Sequence, residues 1–169
     1  MTAMREVTPA DYRALMSGFP TGVAVITTLD TDGQPYGLTC SSLSSVTLTP
    51  PTLQVCLQSR SRVLPAIRRR GAFAANLLHA RAREAAGSFA APIADRFAGI
   101  AWCASPGLAL PWLTDDAFAL AECRLADTLV IGDHTMLLGE VVATRHCDDV
   151  PLMYGKRRYS AWPEPIEQS

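Results

Sequence analysis

Along this chain the apolar and polar positions predict more strands than helices. Thr8 followed by Pro9 has the chemistry of a helix start: a hydroxyl that caps free N–H groups, and a proline that has none to satisfy. Tyr12, Leu15 and Met16 then recur at helical spacing, and Gly18 stops the run. Phe19-Pro20-Thr21-Gly22 turns the chain into residues 23–29, VAVITTL, a β-branched apolar run expected to be a buried strand. Asp30-Thr31-Asp32-Gly33 has hairpin-turn chemistry, with Gly33 suited to a positive φ. A second strand is expected over 35–42, and a third over 52–57 after the Pro50-Pro51 corner.

Ser61 can cap a helix over 63–70 that Gly71 ends, with Arg68, Arg69 and Arg70 at the end where cations suit the helix dipole. Residues 73–78, FAANLL, read as a strand, and 79–89, rich in Ala and Arg, as a helix whose continuation toward Phe97 is less regular. Pro106, Gly107 and Pro111 prevent one regular element over 102–112, yet Trp102, Leu110 and Trp112 need cover. That predicts a loop packed over a pocket or against a second subunit. Two long strands, 117–129 and 134–145, flank a tight turn at Ile131-Gly132-Asp133. The tail, 151–163, has too many breaks to be a strand in the middle of a sheet. About six strands, few helices and hairpin turns point to a closed antiparallel β-barrel with helices covering its ends. No repeat is visible, and no Gly-x-Gly-x-x-Gly fingerprint supports a Rossmann site.

Composition narrows the classes further. With 169 residues, 49% of them apolar and 18% charged, the chain is expected to be one globular domain, 1–169: a helix at 8–17, a barrel core at 19–145 and a tail at 146–169. A formal net charge of −1 gives no general attraction to nucleic acid, and the three adjacent arginines read as a solvated helix end. No apolar run is long enough to span a membrane, and the start of the chain has no basic segment followed by an apolar core. A soluble cytoplasmic protein is therefore expected. The five cysteines fall at no metal-ligand spacing, so zinc is unsupported. Cys56 and Cys123 read as small core residues, and His146-Cys147 as a strand-end pair.

The candidate chemistry lies in two polar clusters around the 52–57 strand. Thr39, Ser41, Ser42, Ser44, Ser45 and Thr47 precede it; Ser59, Arg60, Ser61 and Arg62 follow it. Short donors with adjacent positive charge suit a phosphate monoester, and the same residues also fill turns and strand edges. Ser61 serves either as a helix cap or as a phosphate ligand, and a helix N-terminus is itself an anion site. Asp133-His134 reads either as an exposed turn pair or as a site residue opening a strand.

In order along the chain, Phe19-x-Thr21-Gly22-Val23-x-Val25-x-Thr27-Thr28 and Gly37-x-Thr39-x-Ser41-Ser42-x-x-Ser45-Val46-x-Leu48-x-Pro50-Pro51 resemble the short-chain flavin reductases. The likeness continues through Ser61-Arg62, Phe73-Ala74-Ala75-Asn76-Leu77, Asp95-Arg96-Phe97-x-Gly99, Gly132-Asp133-His134, Gly139-Glu140-Val141 and Pro151-Leu152-x-Tyr154. The resemblance implies a mainly β fold, an antiparallel split β-barrel of Greek-key character with a few short helices, forming a homodimer that binds FMN or FAD near the interface. It implies hydride uptake from NADH or NADPH and release of reduced flavin to a separate monooxygenase.

Carried over by position, Thr39, Ser41 and Ser42, with Cys40 in the same run, would line the ribityl and phosphate side. Ser59, Ser61 and Arg62 would complete the phosphate pocket, Asn76 would lie alongside the ring, and His134 would stand near the nicotinamide as the catalytic residue. Ser41 replaces a frequent Asn and Leu43 a frequent Phe, which shortens the reach of one donor. Two other readings are a split-barrel flavoprotein that oxidises a substrate with tightly held FMN, and a non-catalytic flavin binder.

Overall fold

The computed structural model describes residues 6–93 and 95–163. Helix α1 (Pro9–Ser17) starts as its sequence dictates: Thr8 Oγ1 accepts from the Asp11 N–H at 3.2 Å, and the Asp11 carboxylate accepts from the Thr8 N–H at 3.0 Å. None of its residues is buried, and Leu15 is 71% exposed. The helical spacing of Tyr12, Leu15 and Met16 thus produces an outward apolar stripe.

The strands β1 (Thr21–Gly22), β2 (Ala24–Leu29), β3 (Pro35–Cys40), β4 (Ser44–Leu48) and β5 (Pro51–Gln58) precede α2 (Val63–Arg70). Then come β6 (Ala72–Leu78), α3 (Arg83–Ala90), β7 (Cys103–Ala104), β8 (Pro111–Trp112), β9 (Ala117–Ile131), β10 (His134–His146), β11 (Leu152–Gly155) and β12 (Arg158–Ala161). Seven strands form one antiparallel sheet in the order β3-β2-β6-β9-β10-β5-β4.

Strand β2 is buried on both faces, which its unbroken apolar and β-branched sequence requires. Val25 joins the cluster of Phe89, Ala85 and Leu110, and Ile26 joins Leu64, Ile67 and Phe73 on the other face. Its two buried hydroxyls are satisfied, Thr27 donating to the Pro111 carbonyl at 2.6 Å and Thr28 to the Ala72 carbonyl at 2.9 Å. In β5, Leu53, Val55 and Leu57 point inward while Gln54, Cys56 and Gln58 turn outward, the period-two pattern of a one-sided strand. Gly139 lies so close to the buried Phe73 ring that a Cβ would sit 2.5 Å from its Cζ.

The sheet's edge strands, β3 and β4, are consecutive in sequence. A flat sheet of this size would be about 29 Å wide at ~4.8 Å per strand. Cys40 and Ser44, at the neighbouring ends of the two edges, are separated by no more than about 14 Å of extended chain. The sheet therefore curls until its edges approach at that corner. The ladder does not close, however: no β3–β4 pairing exists among the described residues, so the closed barrel expected from strand count is not formed.

Residues 44–48 form a strand that the sequence does not announce, because all five side chains are exposed and no alternation marks it. The tail is not excluded from a sheet: β11 is the central strand of a small sheet between β1 and β12, and its few residues suffice because both neighbours are short. The helix expected from His79 begins only at Arg83, since His79 bridges Pro151 and its Nε2 meets the Asp115 carbonyl at 2.8 Å. Leu110 and Trp112 are buried in the chain's own core, while Trp102 stays 38% exposed with an edge-to-face contact to Phe97. Cys123 is a core residue as expected, but Cys56 faces outward and is half-buried. Among the described residues no helix is long and apolar enough to cross a membrane.

Candidate functional site

The corner between the sheet edges is made by Ser41, Ser42 and Leu43. Extending the Ser44–Gln54 pairing of β4 and β5 by two residues would place residue 42 opposite residue 56. There the backbone has already veered toward β3, and the Ser42 side chain does its work. Ser42 Oγ donates to the Cys56 carbonyl at 2.9 Å and accepts from the Cys56 N–H at 3.0 Å. One hydroxyl thus replaces a backbone pair and ties the corner to β5. Its neighbour Ser41 is exposed and makes no side-chain hydrogen bond among the described residues.

Beside this corner lies an open groove of about 350 Å³, with Met16, Phe19, Leu43 and Tyr154 on its apolar walls and Thr21 and Ser41 among its polar ones. The Thr21 hydroxyl oxygen is shielded from solvent and has no hydrogen-bond partner. A buried hydroxyl left unpaired costs free energy, so a ligand donor or acceptor in the groove would be favoured there.

The second polar cluster begins where β5 ends. From Cys56 to Ser59 is about 10 Å of extended strand. The Ser59 N–H donates to the Asp133 carbonyl at 2.9 Å, and Ser59 Oγ is 2.9 Å from the hydroxyl of the buried Thr135. These contacts hold the 59–62 turn against the β9–β10 hairpin. His134 pairs with Gln58 across the β5–β10 ladder and therefore stands at the same end. Its Nδ1 is 2.7 Å from Asp133 Oδ1, and its side chain is partly exposed. The hydrogen bond to His134, and then the histidine's charge, hold the Asp133 carboxyl below the usual carboxylate range. Ser61 Oγ accepts from the Val63 N–H at 3.2 Å, but the N-cap position of α2 is Arg62, whose side chain caps nothing and is exposed, so Ser61 stands one residue before the cap position.

Three expected site residues have other engagements. Asn76 is fully buried: its amide donates to the Val25 carbonyl and to Thr27 Oγ1, both at 3.0 Å, and its Oδ1 accepts from the Leu113 N–H at 2.9 Å. It binds three segments of the core together. Thr39 Oγ1 donates to the Ala86 carbonyl at 2.7 Å, tying β3 to α3. Cys40 is buried, and desolvation pushes its thiol up to about 11, which keeps it neutral and unreactive.

Sequence reasoning passed over Arg96 and the Thr21 hydroxyl as site residues. Arg96 is half-buried; its Nε donates to the Ala91 carbonyl at 3.0 Å and its Nη1 to the Gly37 carbonyl at 2.9 Å. Only its place in the Asp95-Arg96-Phe97 run marked it beforehand. A second groove, of about 360 Å³, lies by Arg70, Arg124 and the 107–109 loop. Beneath that loop the buried Glu122 carboxylate accepts from the Gly107 and Leu108 N–H groups at 3.1 and 2.9 Å, a contact that fixes the loop.

The groove thus combines apolar walls with a hydroxyl rim. The model of the flavin reductase like domain matches residues 16–163, and the chain belongs to that family. It is 52% identical over 157 residues to the flavin reductase (NADPH) of Lentzea aerocolonigenes, covering 93% of this chain and 92% of that one. It is 47% identical over 156 residues to the flavin reductase (NADH) of Kitasatospora aureofaciens, covering 90% and 81%. Among solved structures, the styrene monooxygenase flavin reductase of Pseudomonas putida S12 superimposes with a TM-score of 0.84 at 30% identity, over 92% of this chain and 99% of that one.

Proposed function

We propose that this chain is an NAD(P)H-dependent flavin reductase that passes hydride from NADH or NADPH to FMN or FAD and supplies the reduced flavin to a separate monooxygenase. The observation that carries this reading is identity of about half, across nearly the full length of both chains, to reductases that use each of the two nucleotides. The name of the styrene monooxygenase reductase supports the oxygenase partner.

The residues of the groove fit a flavin. Met16, Phe19 and Leu43 offer apolar surface to a ring, and the unpaired Thr21 hydroxyl and the free Ser41 hydroxyl offer it polar partners. Ser59, Ser61 and Arg62 take the phosphate, about a strand-length away. Ser42 and Asn76 act by holding the corner and the strand in place, Thr39 anchors β3, and Cys40 packs beneath the rim. When both are bound, the reduced nicotinamide supplies a hydride that the flavin ring accepts. That transfer depends on ring alignment more than on acid–base groups. His134, oriented by Asp133, presents Nε2 to the nicotinamide side.

The curled, unclosed sheet supports a split barrel of Greek-key character. The exposed stripe of α1, Phe19 beside the groove, and the exposed Val46 and Leu48 of β4 support a homodimer that covers them and completes the groove wall.

The test is oxidation of NADH and of NADPH, followed at the nicotinamide absorbance, with FMN or FAD added in turn. Consumption that rises with added free flavin is the expected result. Flavin that copurifies, stays bound and supports no nucleotide oxidation would instead identify a substrate oxidase or a non-catalytic binder.

A further inference from the structure

Strand β11 turns into β12 through two residues, Lys156 and Arg157, between the paired Gly155 and Arg158. Both have positive φ, 49° and 60°. A two-residue hairpin turn of this hand is closed most readily by Asn-Gly or Gly-Gly, because a Cβ crowds the following carbonyl. The turn keeps Lys-Arg against its own backbone preference. Such strain persists where the side chains it carries have a task of their own.

The hairpin is braced below its tip. A Cβ on Gly155 would stand 3.3 Å from Pro20 Cα, and the Lys156 N–H donates to the Ser17 carbonyl at 2.6 Å. The Tyr154 and Tyr159 rings are 5.3 Å apart, and Arg83 donates to the Tyr159 carbonyl at 2.9 Å. Ser17, Tyr154 and Gly155 all line the groove beside the corner, so the tip stands on its rim.

Three exposed cations follow one another there: Lys156, Arg157 and Arg158. Among the described residues none of these side chains has an ion pair or a hydrogen bond, whereas Arg69 and Arg81 each hold an aspartate. Clustered cations without a counter-ion attract a multiply charged anion, and guanidinium and ammonium donors match a phosphate monoester. The tip belongs to the β1-β11-β12 sheet, a different wall of the groove from the corner that leads along β5 to the 59–62 turn. The phosphate it serves is therefore not the one given to Ser59, Ser61 and Arg62.

We propose that the Lys156-Arg157-Arg158 tip holds the 2′-phosphate of NADPH and so makes the site prefer NADPH to NADH. The proposal rests on the reductase reading above and adds to it the residues that decide between the two nucleotides. The phosphates of the adenylate half of FAD offer the same chemistry, and the test separates the two sources.

Adenosine 2′,5′-bisphosphate and 5′-AMP, which differ only in the 2′-phosphate, are titrated calorimetrically into the full chain. Binding is read without turnover, so a failed reductase assay leaves this measurement intact. The unaltered protein is expected to bind the bisphosphate at least tenfold more tightly than AMP. The double variant K156N/R157G is expected to reduce that ratio about tenfold and, by relieving the turn, to raise Tm. Arg158→Gln, in the strand beyond the turn, should reduce the ratio in the same direction, and Arg157→Lys should retain part of it. In turnover, kcat/KM for NADPH relative to NADH should fall in step.

A ratio moved by neither K156N/R157G nor Arg158→Gln would overturn the proposal. So would an unaltered protein that does not distinguish bisphosphate from AMP. A K156N/R157G protein with a lower Tm would refute the argument from strain. A loss confined to FAD, measured against FMN, would assign the tip to the flavin and refute the nucleotide assignment. A shifted bisphosphate ratio in a protein that oxidises neither nucleotide would refute the reductase reading while upholding the phosphate site.

Discussion

Ser41 and Ser42 are adjacent, chemically identical and expected to fail in opposite ways. Ser42→Ala removes the hydroxyl that serves both the N–H and the carbonyl of Cys56. Each lost hydrogen bond costs about 0.5–1.5 kcal/mol net, and the site is half-buried, so water restores part of it. The expected loss is about 2 kcal/mol, which for a chain of this size lowers Tm by about 4–8 °C. Urea unfolding should show the midpoint falling by about 1 M for an m-value near 2 kcal/mol/M. Ser41→Ala removes an exposed hydroxyl with no partner in the chain, so its stability should stay within about 0.5 kcal/mol. Its effect should fall instead on the KM for flavin. If Ser42→Ala unfolds at the same urea concentration as the unaltered protein, or if Ser41→Ala loses as much stability as Ser42→Ala, the assignment of the corner's bond to Ser42 is wrong.

Two other outcomes test the buried groups. Asn76→Ala leaves the Leu113 N–H and the Thr27 hydroxyl's neighbourhood without their polar partner in a dry core, and should cost at least about 3 kcal/mol by urea unfolding. Loss below about 1 kcal/mol would mean the amide is not the cross-link described. The Cys40 and Cys123 thiols, pushed up by burial to about 11 and about 12, are neutral at pH 8, whereas Cys103 and Cys147 are exposed. Iodoacetamide at pH 8 should therefore label Cys103 and Cys147 in the folded protein and reach Cys40 and Cys123 only after denaturation, as read by peptide mass spectrometry. The same two shifts make the fold lose stability as pH rises above the ordinary thiol range of about 8.5, because there the unfolded chain ionises first.

What the sequence determined by itself is the local structure that neighbours along the chain decide. Thr8-Pro9 begins α1 and Gly71, at φ 67°, ends α2, since capping and a left-handed residue depend on a few adjacent atoms. The apolar run of β2 and the hairpin glycines at 33 and 132 were legible for the same reason. So was the ordered set of motifs that carries the family, because it spans the chain and needs no contact map.

Tertiary structure decided what depends on partners remote in sequence. Residues 44–48 become a strand only because β5 presents a free edge, and β11 is central only because β1 and β12 flank it. Ser42 and Ser41 differ by one bond that the sheet's curl creates. Asn76 turned inward because the fold sets β2 and the loop at Leu113 beside its strand, where one amide can serve the Val25 carbonyl, the Thr27 hydroxyl and the Leu113 N–H. Arg96 reaches the Gly37 carbonyl of β3 from a remote loop, and no spacing along the chain encodes that contact. Each of these is set by sheet order and helix packing, which bring together residues that the linear pattern keeps tens of positions apart.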